Sequence, residues 1–280
     1  MDEFKVLLDN LAFPEGPRWR DGKLYLSDMH AHQVLAVTLD GKAAVVAEVP
    51  TWPSGLGWLP DGRMLIVSMT DRKLLRQDAG GLKVHADLSK LASFHCNDMV
   101  TDGAGRSYVG NFGYDLLTGA PQKPAEIVLV EPDGRARVAA TGLDFPNGAV
   151  VTADGRTLVV AESMGHRLTA FSVAADGALS NRRVWAELGE AVPDGIALDA
   201  EGAIWVASPF TRELLRVRDG GEIAERHKFE AMPIACALGG PGRRTLFVLT
   251  SESINPDECR AKRSAKVWTR EVAIGGAGWP

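Results

Sequence analysis

The sequence is poor in cysteine, with only Cys96, Cys236 and Cys259 among its 280 residues. A sparse, odd count of this kind excludes a disulfide framework. No apolar run approaches the roughly 20 residues that a membrane helix needs, and no Cys/His cluster has the spacing of a tetrahedral zinc site. The residues that follow Met1 contain neither the basic nor the apolar segment of a signal peptide. We therefore expect a cytoplasmic protein in a reducing compartment, without a membrane partner.

Basic residues are also fewer than acidic residues. The chain has 31 Lys and Arg against 36 Asp and Glu, which gives a formal net charge of -5. A nucleic-acid-binding protein needs a basic face for the phosphates, so nucleic acid is not an expected partner. Hydrophobic residues make up 45% of the sequence, and all-β chains of this size often form one unit. We predict a single domain over residues 1–280.

One unit recurs six times along the chain. Each copy opens with a small turn, often Pro-x-Gly, and continues with an apolar stretch, a Gly-containing turn and a β-branched or aromatic run. The middle residues of the openings are 15, 54, 97, 147, 194 and 235, which gives spacings of 39, 43, 50, 47 and 41. This period suits one four-stranded propeller blade per unit. The sequence predicts an all-β fold, a six-bladed β-propeller with four antiparallel strands per blade.

The sixth unit has no fourth strand of its own. Its third strand is predicted at 266–272, and little chain remains after it. The N-terminal segment 4–9, in contrast, has the pattern of a strand that belongs to no unit. We infer that this segment supplies the missing strand and closes the ring, which also removes a long open sheet edge.

The opening residues start the inner strands at one mouth of the predicted channel. They are Glu15, Ser54, Asn97, Asn147, Asp194 and Ala235. Asp or Asn before Gly is a common turn residue, but four oxygen-bearing side chains at the same phase of a repeat favour a shared site. An all-oxygen set suits one hard divalent cation, so we predict a metal site. Ca²⁺ is the first choice, with Mg²⁺, Mn²⁺ or Zn²⁺ as alternatives.

The connections between second and third strands reach the same mouth, because one strand down and one up return the chain there. We predict that they form the wall of a pocket and that the two long ones could act as lids. Trp52 and the other tryptophans are expected in the core. The predicted connections are 28–32, 69–72, 111–125, 162–166, 209–212 and 250–265.

Four short motifs surround the predicted axial residues: FPEGP at 13–17, HCNDM at 95–99, FPNG at 145–148 and PDGI at 193–196. In this order, at blade spacing, they resemble the regucalcin (senescence marker protein)/gluconolactonase/luciferin-regenerating-enzyme family over nearly the whole chain. The resemblance implies a propeller with a single divalent metal, bound by Glu15, Asn147 and Asp194. It also implies that Asn97 contacts substrate or reaches the metal, and that Asp194 is the general base.

The chain departs from this family pattern at two positions. Regucalcin-type members carry Arg where this chain has His95, and that Arg contacts the sugar lactone. His95 is therefore a candidate substrate contact that argues against a gluconolactone-like substrate. Glu162 stands where many members have Asp, which we expect to be a small change at the pocket wall.

Since many members of the family hydrolyse lactones, we expect a metal-dependent lactonase, a carboxylic ester hydrolase acting on a sugar lactone or another small lactone. In this hypothesis Asp194 accepts the proton of the attacking water and Asn97 orients the ester. Two alternatives stay open: organophosphate triester hydrolysis at the same metal site, and a non-catalytic binding propeller that the metal stabilises.

Overall fold

The turn glycines and β-rich runs of the chain form six antiparallel sheets of four strands each, which confirms the predicted six-bladed propeller. The computed structural model describes residues 3–116 and 118–279. Blade 1 contains β2 (Pro14–Arg20), β3 (Lys23–Asp28), β4 (Gln33–Val37) and β5 (Ala43–Glu48). Blade 2 contains β6 (Pro53–Trp58), β7 (Met64–Ser68), β8 (Lys73–Asp78) and β9 (Gly81–Asp87). Blade 3 contains β10 (Cys96–Thr101), β11 (Ser107–Asn111), β12 (Ala125–Val130) and β13 (Ala136–Leu143).

The second half of the ring repeats this order. Blade 4 contains β14 (Pro146–Val151), β15 (Thr157–Glu162), β16 (Arg167–Val173) and β17 (Leu179–Glu187). Blade 5 contains β18 (Ile196–Leu198), β19 (Ile204–Ser208), β20 (Glu213–Val217) and β21 (Ile223–Lys228). Blade 6 contains β22 (Met232–Gly239), β23 (Thr245–Ser251), β24 (Ala265–Glu271) and β1 (Lys5–Leu11).

The N-terminal strand closes the ring as predicted. β1 pairs antiparallel with β24, with Lys5 opposite Thr269 and Leu11 opposite Ala265. The first and last strands of the chain thus lie in one sheet, and β1 covers the edge of β24 that would otherwise be unpaired. Closure of this kind removes the exposed edge that an open sheet would present.

The hydrophobic core is divided among the six interfaces between neighbouring blades, each of which holds its own cluster of buried side chains. Most second strands are buried on both faces, so they are nearly continuous apolar runs such as MLIVS in β7 and IWVAS in β19. Cys96 and Cys236 are 0% and 2% exposed within two of these clusters. These two cysteines therefore pack as small apolar residues.

Glycines after the axial residues let neighbouring inner strands approach closely. A Cβ atom on Gly148 would lie 2.6 Å from the backbone oxygen of Asp194 and 2.7 Å from the nitrogen of Ile196. A Cβ on Gly55 would lie 2.4 Å from the backbone nitrogen of Met99. The recurring glycine of the opening motif is therefore required because backbone occupies the space of its missing side chain.

Short helices occur in the connections: 3-10 turns at Met29–Ala31 and Pro241–Arg243, and the α-helix α1 at Pro256–Lys262. The side-chain oxygen of Asn255 caps α1 by accepting hydrogen bonds from the amides of Asp257 and Glu258. No helix in the described residues combines the length and hydropathy needed to span a membrane.

The C-terminal tail crosses the end of the channel opposite Asn147 and Asp194. Val151 and Trp279 exchange two backbone hydrogen bonds of 3.1 and 2.8 Å, and the amide of Ala277 donates to the oxygen of Leu198 at 2.9 Å. The tail thereby joins the ends of the inner strands of blades 4 and 5.

We expect Gly148→Ala to destabilise the propeller, because two fixed backbone atoms occupy the position of the new methyl group. Overpacking of this kind typically costs about 1–3 kcal/mol, and each kcal/mol lowers Tm by about 2–4 °C in chains of comparable size. Gly80→Ala is the matched control, since nothing lies within 4 Å of its Cβ position. Thermal melts of the two variants check this, and equal Tm values would contradict it.

Candidate metal centre

Four of the six predicted axial residues line a single cavity at one mouth of the channel. The inner strands place them there because each follows the same turn in its own blade. They are Glu15 in β2, Asn97 in β10, Asn147 in β14 and Asp194 directly before β18. The structure thus brings together the residues that the sequence singled out, while their role as metal ligands stays a prediction.

Hydrogen bonds hold Asn147 and Asp194 in place. The amide of Asp194 donates to the oxygen of Ala207 at 2.9 Å. The side-chain nitrogen of Asn147 donates to the hydroxyl of Ser163 at 3.2 Å, and that hydroxyl donates to the oxygen of Pro193 at 2.7 Å. Since the nitrogen of Asn147 is engaged in this way, its carbonyl oxygen is the atom available to a cation.

Several polar atoms at or near the cavity are buried without a hydrogen-bond partner in the part of the chain that the structure describes. They include Oδ1 of Asp194, Nδ2 of Asn97 and Oγ of Ser54. Buried polar atoms are nearly always paired in native proteins, and an unpaired one calls for an explanation. Two of these three atoms belong to residues that line the cavity, where a bound ion or molecule could satisfy them.

A buried ion pair that the sequence analysis missed lies beside these residues. Nη2 of Arg18 contacts Oδ1 of Asp98 at 2.8 Å, and the two side chains are only 3% and 6% exposed. Arg18 also donates from Nε to the oxygen of Leu56 at 3.1 Å. A charged residue within a strand of otherwise buried residues could have indicated this pair. Arg18 has such a position in β2, and Asp98 has one in β10.

Burial dominates the electrostatics of the three carboxyl groups. It raises the pKa of Glu15 well above its ordinary value, and the nearby charges of Asp194 and Asp98 raise it further. Burial and then the charge of Asp98 likewise raise the pKa of Asp194, while a hydrogen bond with Asn147 offsets part of the rise. Burial also raises the pKa of Asp98, against the lowering effect of Arg18.

The cluster fits a divalent cation by charge. Three buried carboxylates face one guanidinium, so the fully ionised cluster has two negative charges in excess. A divalent cation would neutralise them, and oxygen donors suit a hard ion. Within residues 3–116 and 118–279 no group of three or more His, Cys, Asp or Glu side chains could by itself hold a metal ion. The candidate site therefore depends on asparagine oxygens as well as carboxylates.

The cavity above the centre has a volume of about 120 Å³ and opens to solvent. Each of the six connections between second and third strands contributes to its wall, as predicted. The two long connections contribute as well, although their role as lids stays a prediction. One contributing residue from each connection is Met29, Met69, Phe112, Met164, Phe210 and Ile254.

The described residues that line the cavity do not include His95. Its ring stacks on Phe94 with the centroids 4.1 Å apart and lies 6.5 Å from the ring of Phe112, which does line the cavity. The contact of His95 with substrate stays a prediction, and the structure offers Phe112 as the link between this residue and the wall.

Two further ring side chains lie on the wall: Trp52, which was not expected there, and His30, which belongs to the predicted connection 28–32. Trp52 lines the cavity, although the sequence analysis placed it in the core. His30 is 4% exposed, its Nδ1 has no partner, and its ring lies 4.9 Å from Phe13 and 5.0 Å from Trp52. Burial, helped by the charges of Arg260 and His32, lowers the pKa of His30 to about 4, so this imidazole is neutral at pH 7.

The expectation that Glu162 lies at the pocket wall was wrong. Its side chain is fully buried at 0% exposed and contacts Arg167 at 2.9 Å and Arg182 at 3.0 Å. It also accepts a hydrogen bond from the amide of Asp144 at 2.7 Å. The side chain of Glu is one methylene longer than that of Asp, and its carboxylate joins an ion-pair network within blade 4 instead of lining the cavity.

Comparison with known proteins identifies the family. The model of the SMP-30/Gluconolactonase/LRE-like region matches residues 13–252. Regucalcin of Danio rerio is 29% identical over 202 residues, covering 70% of this chain and 68% of its own. Pentonolactonase XacC of Haloferax volcanii is 27% identical over 159 residues, 55% of this chain and 53% of its own. The family match covers most of the chain and therefore establishes membership.

A solved structure shows the same fold. The calcium-binding protein regucalcin from Agrobacterium tumefaciens superposes with a TM-score of 0.84 at 23% identity. The alignment covers 100% of this chain and 97% of that one. At this level of identity the likeness supports the six-bladed architecture.

We expect the metal-free protein to lose stability as pH rises, because the folded state holds the carboxyl proton of Glu15 more tightly than the unfolded state. This contribution is complete below the ordinary glutamate pKa of about 4.3 and is lost as pH rises through the raised pKa of the folded protein. In chelator, Glu15→Gln should therefore have a higher Tm than the parent at pH 8, and the difference should shrink toward pH 5.

Thermal melts in chelator and in Ca²⁺ between pH 5 and 8 measure this effect. Ca²⁺ should stabilise the parent protein more than Glu15→Gln. Glu230→Gln, at an exposed position, is the matched control and should leave both the pH dependence and the Ca²⁺ response unchanged. A Tm of Glu15→Gln below that of the parent at every pH would contradict the assigned repulsion.

Proposed function

Because the chain belongs to the SMP-30/gluconolactonase/LRE-like family, we propose that it is a metal-dependent hydrolase that opens a lactone at the mouth of the propeller channel. One observation carries the proposal: a buried cluster of three carboxyl groups and one guanidinium lies at an open cavity, and Oδ1 of Asp194 has no hydrogen-bond partner there among the described residues. The relative from Haloferax volcanii named a pentonolactonase supports a lactone as the substrate class.

The residues that would hold the metal are Glu15, Asn147 and Asp194. They offer carboxylate and amide oxygens from three blades, a donor set that favours Ca²⁺ over softer ions. When bound, a divalent cation supplies Lewis-acid polarisation of the ester carbonyl. The Arg18–Asp98 pair lies beside these ligands. It adds one more carboxylate to the cluster, and the guanidinium of Arg18 neutralises part of the charge of that carboxylate.

Asp194 is the proposed general base. One of its two oxygens, Oδ1, is buried and has no hydrogen-bond donor among the described residues, so it is free to accept a proton from water. In the metal-free protein, burial raises the pKa of this carboxyl group, whereas a bound cation would favour the carboxylate, which is the form that can accept a proton. The backbone amide of Asp194 donates to the oxygen of Ala207, which holds the backbone of this residue at the cavity.

Asn97 is the proposed substrate-orienting residue. Its Nδ2 is buried and unpartnered, and the residue lines the same cavity as Asp194. A free amide N–H group can donate to the carbonyl or ring oxygen of a lactone, and a donor aimed at developing negative charge stabilises the transition state. Base and donor thus come from blades 5 and 3 and line the same cavity.

We expect lactone hydrolysis to cease in chelator and to return when Ca²⁺, Mg²⁺, Mn²⁺ or Zn²⁺ is added. A panel of small lactones followed with a pH indicator measures it. Turnover that is unaffected by exhaustive chelation would contradict metal dependence. Turnover of a phosphotriester but of no lactone would favour the triester hydrolase, and metal binding without any turnover would favour a binding propeller.

We expect Asp194→Asn to lower kcat by about 10²–10⁴-fold, the usual contribution of a general base, without lowering Tm in chelator. The substitution keeps the shape of the side chain and removes a buried negative charge. Asp9→Asn, at an exposed position of β1, is the matched control and should retain full turnover. Near-normal turnover of Asp194→Asn would show that another group takes the proton.

A further inference from the structure

The wall of the cavity is mainly apolar. Of the nineteen residues that line it, thirteen are aromatic, aliphatic, methionine or proline side chains. Among the described residues neither a lysine nor an arginine lines it. The six polar ones are Glu15, His30, Asn97, Asn147, Ser163 and Asp194.

The polar residues are almost all committed to the candidate metal centre. Glu15, Asn147 and Asp194 are the proposed ligands, and Ser163 is engaged with Asn147 at 3.2 Å. Asn97 is the proposed contact to the ester itself. His30 is therefore the one polar side chain on the wall, among the described residues, that is left for the rest of a substrate.

His30 offers little to a polar substrate. It is a neutral imidazole that lies between Phe13 and Trp52, and a single nitrogen, Nδ1, is unpartnered. A sugar lactone carries several hydroxyl groups, each of which loses hydrogen bonds to water when it enters the site. Unless the site replaces those bonds, each buried hydroxyl costs binding free energy.

Aromatic rings form a substantial part of the apolar wall. Phe112 and Phe145 stack with their centroids 4.4 Å apart. Phe210 lines the cavity and is 59% exposed, an unusual exposure for a large aromatic side chain. Apolar surface at an open cavity is typical of a binding site for an apolar group, because burial of that group then removes two apolar surfaces from water.

We propose that the substrate is a lactone whose ring carries an apolar alkyl or aryl substituent, which packs against the wall that contains Phe112, Phe145 and Phe210. This inference rests on the proposed lactonase function and defines its substrate class. The ester group lies at Asn97 and Asp194, and the substituent extends from there toward the mouth of the cavity. A sugar lactone is then a poor substrate, because its hydroxyl groups face carbon atoms.

Three δ-lactones of one ring size test the proposal: D-glucono-δ-lactone, δ-valerolactone and δ-decalactone. With Ca²⁺ present we expect kcat/KM to be highest for δ-decalactone and lowest for the sugar lactone. Each buried methylene can contribute up to roughly fourfold, so the pentyl substituent should raise kcat/KM over δ-valerolactone by at least about tenfold. Preference for the sugar lactone over δ-decalactone would overturn the proposal.

Binding of lactams separates this proposal from the proposed function. The lactam analogues of δ-decalactone and of glucono-δ-lactone resist hydrolysis, and their affinities can be measured by calorimetry without turnover. We expect the alkyl lactam to bind at least tenfold more tightly. That result without hydrolysis of any lactone would leave the binding preference in place and remove the lactonase function, whereas tighter binding of the sugar lactam would overturn the preference itself.

Phe210→Ser tests the wall directly. The side chain is largely exposed, so its replacement should not unfold the protein, and we expect the ratio of kcat/KM for δ-decalactone to that for δ-valerolactone to fall several-fold. Val84→Ser is the matched control, since Val84 is 56% exposed and lies in β9, away from the cavity. An unchanged ratio in Phe210→Ser, together with an unchanged affinity for the alkyl lactam, would contradict the role of this wall.

Discussion

Repulsion among buried carboxylates is the interaction around which this propeller is organised. Glu15, Asp98 and Asp194 come from three blades, and among the described residues Arg18 is the cation that pairs with this cluster, through Asp98. Like charges repel strongly where water is excluded, yet packing between blades and hydrogen bonds of the inner strands hold the side chains in place. The folded chain therefore retains an unfavourable repulsion energy, which a bound cation would reduce. The expected pH dependence of stability, the proposed metal binding and the proposed role of Asp194 as a base all follow from this single arrangement.

The fold separates two tasks that a hydrolase has to perform. The inner strands carry the polar groups, fixed by close backbone contacts such as that between Gly148 and Asp194. The connections between second and third strands carry most of the wall, and they supply mainly apolar side chains such as Phe112 and Phe210. Because strands are rigid and connections tolerate change, the chemistry can stay constant while the surface that meets the substrate varies.

Sequence periodicity was sufficient for the architecture and for the main site residues. The predicted strand 266–272 lies within one residue of the bounds of β24, and the closing strand pairs as inferred. Glu15, Asn97, Asn147 and Asp194 were found because they share one phase of the repeat. Residues outside that phase were not found in this way. Trp52 lies on the wall, and Glu162 lies within an ion-pair network, for reasons that no local pattern shows.

By itself the sequence determined the strands, the turns, the number of blades and the mouth of the channel at which the oxygen-bearing side chains lie. These features depend on backbone preferences and on the alternation of apolar and polar residues over short segments, so a local sequence pattern predicts them. Only the tertiary structure decided that Arg18 compensates Asp98, 80 residues further along the chain, and that the cavity above the centre is apolar. Such features depend on which side chains meet across blades and how deeply they are buried, and both are properties of the closed ring.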